Sequence, residues 1–360
     1  MPDAVIVSAC RTAIGTARKG TLSETEASAL AQPVIEESLT RTGLAAGDID
    51  DLILAESLYG GGVVARYVAV VAGMESVPGL AHNRHCASGL AAVQTASASI
   101  MAGMDRAVIA GGVQSSSLSP RDKRRVPGTD DWEDWMSLSH PSTPEAPALD
   151  MSITVGWNTA RQVGASREDM DAWALRSHER AIAAIDEGRF ATEIVPIKVT
   201  TRDGSAAVFD TDEHPRRGST PEKLAALKPL HPEIEGFSIT AGNASGINDA
   251  ASALVVTSDA FAQGHGLRPL ATVKSWASVG VDPKDTGMAP TIAIPKALER
   301  AGMTLSDVDL YEINEAFASV PVACVRVLDL DEDIINISGS GCSLGHPIAA
   351  TGARMLTTLI

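Results

Sequence analysis

Residues 80–90 read Leu80-Ala81-His82-Asn83-Arg84-His85-Cys86-Ala87-Ser88-Gly89-Leu90, and from His85 to Met104 the chain carries no Asp, Glu, Lys or Arg. Leu80–His82 predicts a short strand, and Ser88–Ala102 a long helix. A helix without a charged face is expected to be buried on all sides. A strand handing over to such a helix is half of a β-α-β unit, so this stretch points to a layered α/β protein.

The neighbours extend the same rhythm. Ala4–Ser8, Asp51–Leu54 and Ala107–Ala110 read as strands, the last ending at Gly111-Gly112, with helices expected over Ala27–Arg41 and Val63–Ala72. The pattern returns later. Ala271–Ala277, Asp309–Tyr311 and Ile334–Ile337 are strand-like, Ile292–Arg300 and Ala316–Val327 are helical, and Gly345-His346-Pro347 introduces a helix over Ile348–Leu359. The segment from Gly345 to Ile360 carries one charged residue, Arg354, so it predicts a second buried helix. Two β-α-β-α-β-α runs imply a duplicated unit, with the two buried helices forming a layer between two sheets.

The expected organisation is an N-terminal unit over 1–118, completed by a strand within 247–268 at Ser252–Thr257. An inserted loop or lid domain covers 119–246, and a C-terminal unit 269–360. The insert is richer in Pro, Trp and charge. Its clearest helix, Arg167–Glu187, opens on the capping pattern Ser166-Arg167-Glu168-Asp169.

The 360 residues carry a net charge of −16, which disfavours nucleic acid and anionic lipid as partners. No apolar run reaches membrane-spanning length and no secretory leader is visible, so a cytoplasmic location is expected. The run Arg121-Asp122-Lys123-Arg124-Arg125 fits either an anion-binding patch or a solvated loop. Cys10, Cys86, Cys324 and Cys342 are far apart and match neither a disulfide framework nor a zinc site.

Cys86 lies where the strand hands over to the buried helix. Unpaired N–H groups and the positive end of the helix dipole favour a thiolate there, so Cys86 is read as a nucleophile rather than an inert core thiol. His346 begins the matching helix of the second unit. A pseudo-two-fold axis brings it toward Cys86 as the activating base, whereas alone it reads as a capping or packing residue. Asn314, in Asn314-Glu315-Ala316-Phe317-Ala318, follows a strand and fits either an oxyanion or water-holding amide or a helix cap. Thr240-Ala241-Gly242-Asn243-Ala244-Ser245-Gly246 is a small-residue loop that lets backbone approach a ligand.

Together these segments resemble the thiolase family, in the right order along the whole chain. Asn83–Leu90 looks like its nucleophile motif, Asn314–Ala318 like its Asn-Glu-Ala-Phe motif, and Gly345-His346-Pro347 like its Gly-His-Pro motif. Thr240–Gly246 followed by Asn248-Asp249 is similar to its coenzyme A loop. The resemblance implies a thiolase-like α-β-α-β-α sandwich with an inserted loop domain. It also implies cleavage of 3-ketoacyl-CoA by CoA, or condensation of two acyl-CoA molecules, through an acyl-Cys86 intermediate, as in fatty acid metabolism. By it, His346 activates Cys86, Asn314 joins His346 in an oxyanion hole through a water, and the Cys86 N–H serves a second such hole. Ala241, Gly242, Ser245 and Phe317 contact coenzyme A, which is a substrate rather than a permanently bound cofactor. A homodimer or homotetramer is expected.

Three departures accompany the resemblance. Gln114 stands in Gly111–Ser117 where the family has Glu. Thr286-Gly287-Met288-Ala289-Pro290 replaces the biosynthetic Met-Gly-x-Gly-Pro. The family's second reactive cysteine follows the Gly-His-Pro helix, so the C-terminal unit is expected to be incomplete, and Cys342 is not at that position. Two alternatives are a catalytically impaired thiolase-like binding protein and a β-ketoacyl synthase, against which the Asn-Glu-Ala-Phe motif speaks.

Overall fold

The computed structural model describes residues 2–59 and 63–360. The N-terminal part runs β1 (Ala4–Arg11), β2 (Gly15–Thr16), α1 (Ala27–Thr42), β3 (Asp51–Glu56), α2 (Val64–Val71), β4 (Gly79–His82), α3 (Ser88–Met101) and β5 (Ala107–Ser115). There follow β6 (Asp122–Arg125), β7 (Trp132–Trp135), α4 (Asn158–Val163), α5 (Arg167–Asp186), β8 (Ile197–Thr200), β9 (Ala206–Phe209) and α6 (Pro221–Ala225). The chain then forms β10 (Asn248–Ser258), α7 (Asp259–Gly264), β11 (Ala271–Thr272), α8 (Ala289–Ala301), α9 (Ser319–Leu328) and α10 (Thr351–Leu359).

The main sheet has the order β11-β1-β10-β5-β3-β4, with β2 on β10. β3 pairs in parallel with β4 and β5, whereas β10 is antiparallel to β1 and β5. Alternation along the strands assigns each face. Leu52, Leu54, Ala107, Ile109 and Val255 pack with α1 and α2. Ile53, Ala55, Val108, Ala110, Leu254 and Val256 pack with α3 and with Ala349 and Ala353 of the C-terminal segment. The expected strand at Ser252–Thr257 is therefore the centre of β10, placed between β1 and β5.

The two inner helices, α3 and α10, cross where neither can carry a side chain. A Cβ on Gly89 would sit 2.7 Å from Ala353 N, and one on Gly352 would sit 2.4 Å from Leu90 N. This crossing lays the N-terminal ends of both helices side by side. The helix α3 is not buried on every side, however: Leu90 is 43% exposed, close to Cys86 at the same end.

Several expected boundaries shift for local reasons. β5 does not stop at Gly111-Gly112 but continues to Ser115. Those glycines serve close approach rather than a turn, since a Cβ on Gly112 would meet the Ala349 carbonyl oxygen at 2.1 Å. α9 begins at Ser319 rather than Ala316, because residues 316–318 hydrogen-bond to the 243–245 loop. α10 begins at Thr351 rather than Ile348, after a turn closed on the Pro347 carbonyl.

In the later part the expected strands are reduced to short contacts. Of 271–277 only Ala271–Thr272 pairs, with β1. Of 309–311 and 334–337, Tyr311 and Ile335 form a single parallel bridge. Beyond it the Asn336 side chain replaces the backbone ladder, bonding both the N–H and the carbonyl of Ile313 at 2.8 Å. Asn336 has φ +52, which turns its backbone out of strand geometry. Around this segment a second core forms from α5, α9 and residues 311–317. The capping box of α5 is present, with Asp169 N–H donating to Ser166 Oγ and Ser166 N–H to Asp169 Oδ2.

The basic run forms β6 of an exposed hairpin. Arg124 pairs with Glu133 at 2.8 Å and Lys123 with Asp134 at 3.8 Å, so it is a solvated face with its charges matched across the turn. Among the described residues, no helix is long and apolar enough to cross a membrane.

Candidate active site

His346 is held from four directions. Its N–H donates to Asn248 Oδ1 at 3.0 Å, and Ile247 and His346 form a parallel bridge. Gly345 makes this approach possible: its φ is +106, and a Cβ there would lie 2.4 Å from the Asn248 side chain. On the imidazole, Nδ1 lies 2.7 Å from Thr351 Oγ1, while Asn314 Nδ2 lies 3.3 Å from Nδ1 and 3.4 Å from Nε2. The structure thus brings Asn314 and His346 together. Asn314 Oδ1 is buried without a partner among the described residues, and Gly341 leaves room beside it, where a Cβ would come within 2.9 Å. Burial, aided by the Arg354 charge, lowers the His346 pKa to about 4, so the ring is neutral at pH 7.

Cys86 occupies a single 3₁₀ turn, His85–Ala87, leading into α3 and packed against α10. His85 has φ +46, a costly conformation for a residue with a side chain. It is held by Asn83 Oδ1, which accepts the His85 N–H at 3.0 Å, and by Ser88 Oγ, which donates to the His85 carbonyl at 2.6 Å. Ser57 Oγ also lies 3.4 Å from that carbonyl. Of the four cysteines, Cys86 alone is exposed. Its thiol is nevertheless not pre-ionised. Desolvation by the surrounding protein pushes it up to about 11, and a backbone hydrogen bond opposes this only in part. This direction stands against the expected thiolate. Activation therefore needs a base.

The small-residue loop is stitched to the Asn314 segment. Ser245 N–H donates to the Ala316 carbonyl at 2.9 Å, Ala318 N–H to the Asn243 carbonyl at 2.8 Å, and Ala244 bridges Phe317. Phe317 itself is a buried ring set against Gly156, while Ala241 is exposed and Ser245 half-buried. Gly242 lines a cavity of about 200 Å³ together with Arg216, Arg217, Ser219, Lys223 and Leu227. Arg216 and Lys223 are exposed there, and Arg217 is paired with Asp186.

Sequence reasoning missed these cations and Thr351. A basic cluster after the Asp212-Glu213-His214 stretch was legible in composition. A hydroxyl five residues beyond a histidine carries no comparable signal. Cys342 is buried, donates to the Glu315 carbonyl, and is pushed well above the usual thiol range by desolvation and by Glu315. Among the described residues, no group of three His, Cys, Asp or Glu is placed to hold a metal ion.

Two family models match the chain, the thiolase N-terminal domain over residues 4–260 and the thiolase C-terminal domain over residues 267–360. An acetyl-CoA acetyltransferase of Pseudomonas aeruginosa is 41% identical over 373 residues, covering 100% of this chain and 92% of the relative. A 3-ketoacyl-CoA thiolase of Bacillus subtilis is 36% identical over 379 residues, covering 100% of this chain and 92% of the relative. A crystal structure of the Bacillus anthracis acetyl-CoA acetyltransferase superposes with a TM-score of 0.89 at 38% identity, covering 100% of this chain and 91% of that one.

Proposed function

The chain belongs to the thiolase family and is a thiolase-type acyltransferase acting on coenzyme A thioesters, and we propose that Cys86 carries the acyl group, His346 activates it and Asn314 completes the oxyanion site. The contact between Asn314 and His346, which Thr351 ties to the start of the helix α10 that the Cys86-bearing turn packs against, carries this reading. Neutral His346 takes the proton from the high-pKa thiol, and the Cys86 sulfur attacks the 3-keto carbonyl. The C2–C3 bond breaks and leaves an acyl-Cys86 and the enolate of the departing thioester. The proton now on His346 Nε2 and a water held by Asn314 Oδ1 stabilise the enolate oxygen. The enolate takes that proton at its α-carbon and departs as the shorter thioester. His346 then takes the CoA thiol proton, the CoA sulfur attacks the acyl-Cys86 carbonyl, and the proton returns to the departing Cys86 sulfur, or the steps run in reverse as a condensation.

The cavity beside Gly242 supports a coenzyme A site, with Arg216 and Lys223 facing its phosphates and the backbone of Ala241, Gly242 and Ser245 along its pantetheine arm. Two exposed features support a homo-oligomer. The edge strand β4 carries Leu80 at 41% exposure, and the β6–β7 hairpin carries Trp132 at 63%. Sedimentation showing only monomer would oppose that part. A cytoplasmic location is the reading consistent with the substrates.

Competitive alkylation tests the site. Iodoacetamide labels Cys86 ahead of Cys10, Cys324 and Cys342, and acetyl-CoA protects it. Labelling of Cys86 without protection would leave exposure alone as its cause and remove the case for the site.

A further inference from the structure

Below the pair of Asn314 and His346 lies a second, parallel rung between the same two elements. Tyr311 and Ile313 are tied to residues 334–336, so the residues between and beyond them, Glu312 and Asn314, project to the opposite side by strand alternation. On α10, Thr351 and Arg354 are three apart and share a helix face. Thr351 holds His346, and Arg354 Nη1 meets Glu312 Oε2 at 3.3 Å. Ser340 Oγ lies between them, 3.0 Å from Arg354 Nη2 and 3.4 Å from Glu312 Oε2. The side chains of this ion pair are 1% and 6% exposed, and Arg354 Nε has no hydrogen-bond partner among the described residues.

A buried pair of this kind is poor value for stability alone, since apolar residues of the same volume serve at least as well. Its placement gives it another use. We propose that Glu312 and Arg354 are positioning residues, whose ion pair sets the separation between the Asn314 segment and α10 so that Asn314 and His346 meet in register. The proposal rests on the reading of His346 and Asn314 given above. Around His346 stand Asn248 from β10, Asn314 from the 311–317 segment, and Thr351 and Arg354 from α10. Arg354 is the charged group that acts on the ring, opposing its protonation. Glu312 feels Arg354, Ser340, Glu315 and Glu193, and burial raises it to about 7.

The test compares Arg354→Met, Arg354→Lys and Glu312→Gln in the full chain. Two measurements are made, acetoacetyl-CoA thiolysis against pH and the NMR titration of His346 in ¹³C,¹⁵N-histidine-labelled protein. Arg354→Met lowers kcat by about 10- to 100-fold, the cost of a small misplacement, and moves both the acid limb and the His346 titration to higher pH. Arg354→Lys keeps the titration where it was and recovers part of kcat. Glu312→Gln lowers kcat at neutral pH without raising the His346 titration. Parent-like kcat and an unmoved titration in Arg354→Met would overturn the proposal. If Arg354→Met does not fold, a Lys variant with parent kcat together with a Gln variant with parent kcat would overturn it equally. A histidine titration that shifts as expected while His346→Asn retains full kcat would fault the reading of the base and leave the positioning role standing.

Discussion

Thr351 Oγ1 lies 2.7 Å from His346 Nδ1 and donates its own hydrogen to the Pro347 carbonyl at 3.0 Å. A hydroxyl has one hydrogen to give, and with it on the Pro347 carbonyl Thr351 Oγ1 accepts from Nδ1–H, which leaves the lone pair on Nε2. The tautomer required of a base is therefore set by a residue buried in the first turn of α10.

Thr351→Val keeps the shape and removes the acceptor. It leaves Nδ1–H without its partner in a buried site, a loss of about 1–3 kcal/mol, so kcat falls by about 10-fold or more. Thr351→Ser recovers most of it. Steady-state kinetics on the three proteins, with thermal melts to confirm folding, check this.

Acidification will unfold the protein early. His178, His214 and His346 are each held down to about 4, first by burial and then by neighbouring cations, with His214 also acting on His178. Their folded values lie below the unfolded 6.5, so the unfolded chain binds more protons between pH 6.5 and 4, and stability is lost as pH falls through that window. At about 1.4 kcal/mol per pKa unit, each histidine contributes up to about 3 kcal/mol. Glu312, raised to about 7, acts in the opposite sense between 4.5 and 7, and Asp51, Glu56, Asp249 and His231, raised less far, act with it, but the three large histidine shifts outweigh them. Urea midpoints at pH 7 and pH 5 measure the slope, and His178→Asn makes it shallower.

Set against the coenzyme A phosphates as proposed, the exposed cations of the Gly242 cavity are expected to affect binding rather than chemistry. In Arg216→Ala/Lys223→Ala the KM for acyl-CoA rises by about 3- to 10-fold, kcat stays within about twofold, and the salt dependence of KM weakens. A fall in kcat with KM unchanged would place these residues elsewhere in the cycle.

What the sequence disclosed and what it concealed divide along local and non-local physics. The β4–Cys86–α3 handover was legible because strand, breaker and charge-free helix are adjacent in the chain. β10 was legible by its apolar run, but its place between β1 and β5 is a tertiary fact. Tyr311 and Ile335 were read as parts of strands because apolar runs carry no notice that the Asn336 side chain will take over the pairing. For Cys86 the helix dipole, a local effect, was expected to favour the thiolate. Desolvation by the rest of the molecule is larger and reverses the direction. Arg354 stood out as the one charge in a buried segment, but its partner Glu312 lies 42 residues away and nothing in the spacing announces it.

The central claim is that acyl transfer passes through Cys86 with His346 as its base. Mass spectrometry of the full chain mixed with acetoacetyl-CoA and quenched within seconds measures it directly. The account predicts one acetyl group on the peptide containing Cys86, none in Cys86→Ala, acylation slowed by about 100-fold or more in His346→Asn, and release of the acetyl group when CoA is added. An acetyl group on Cys10, Cys324 or Cys342 instead, or turnover that persists in Cys86→Ala, would contradict it.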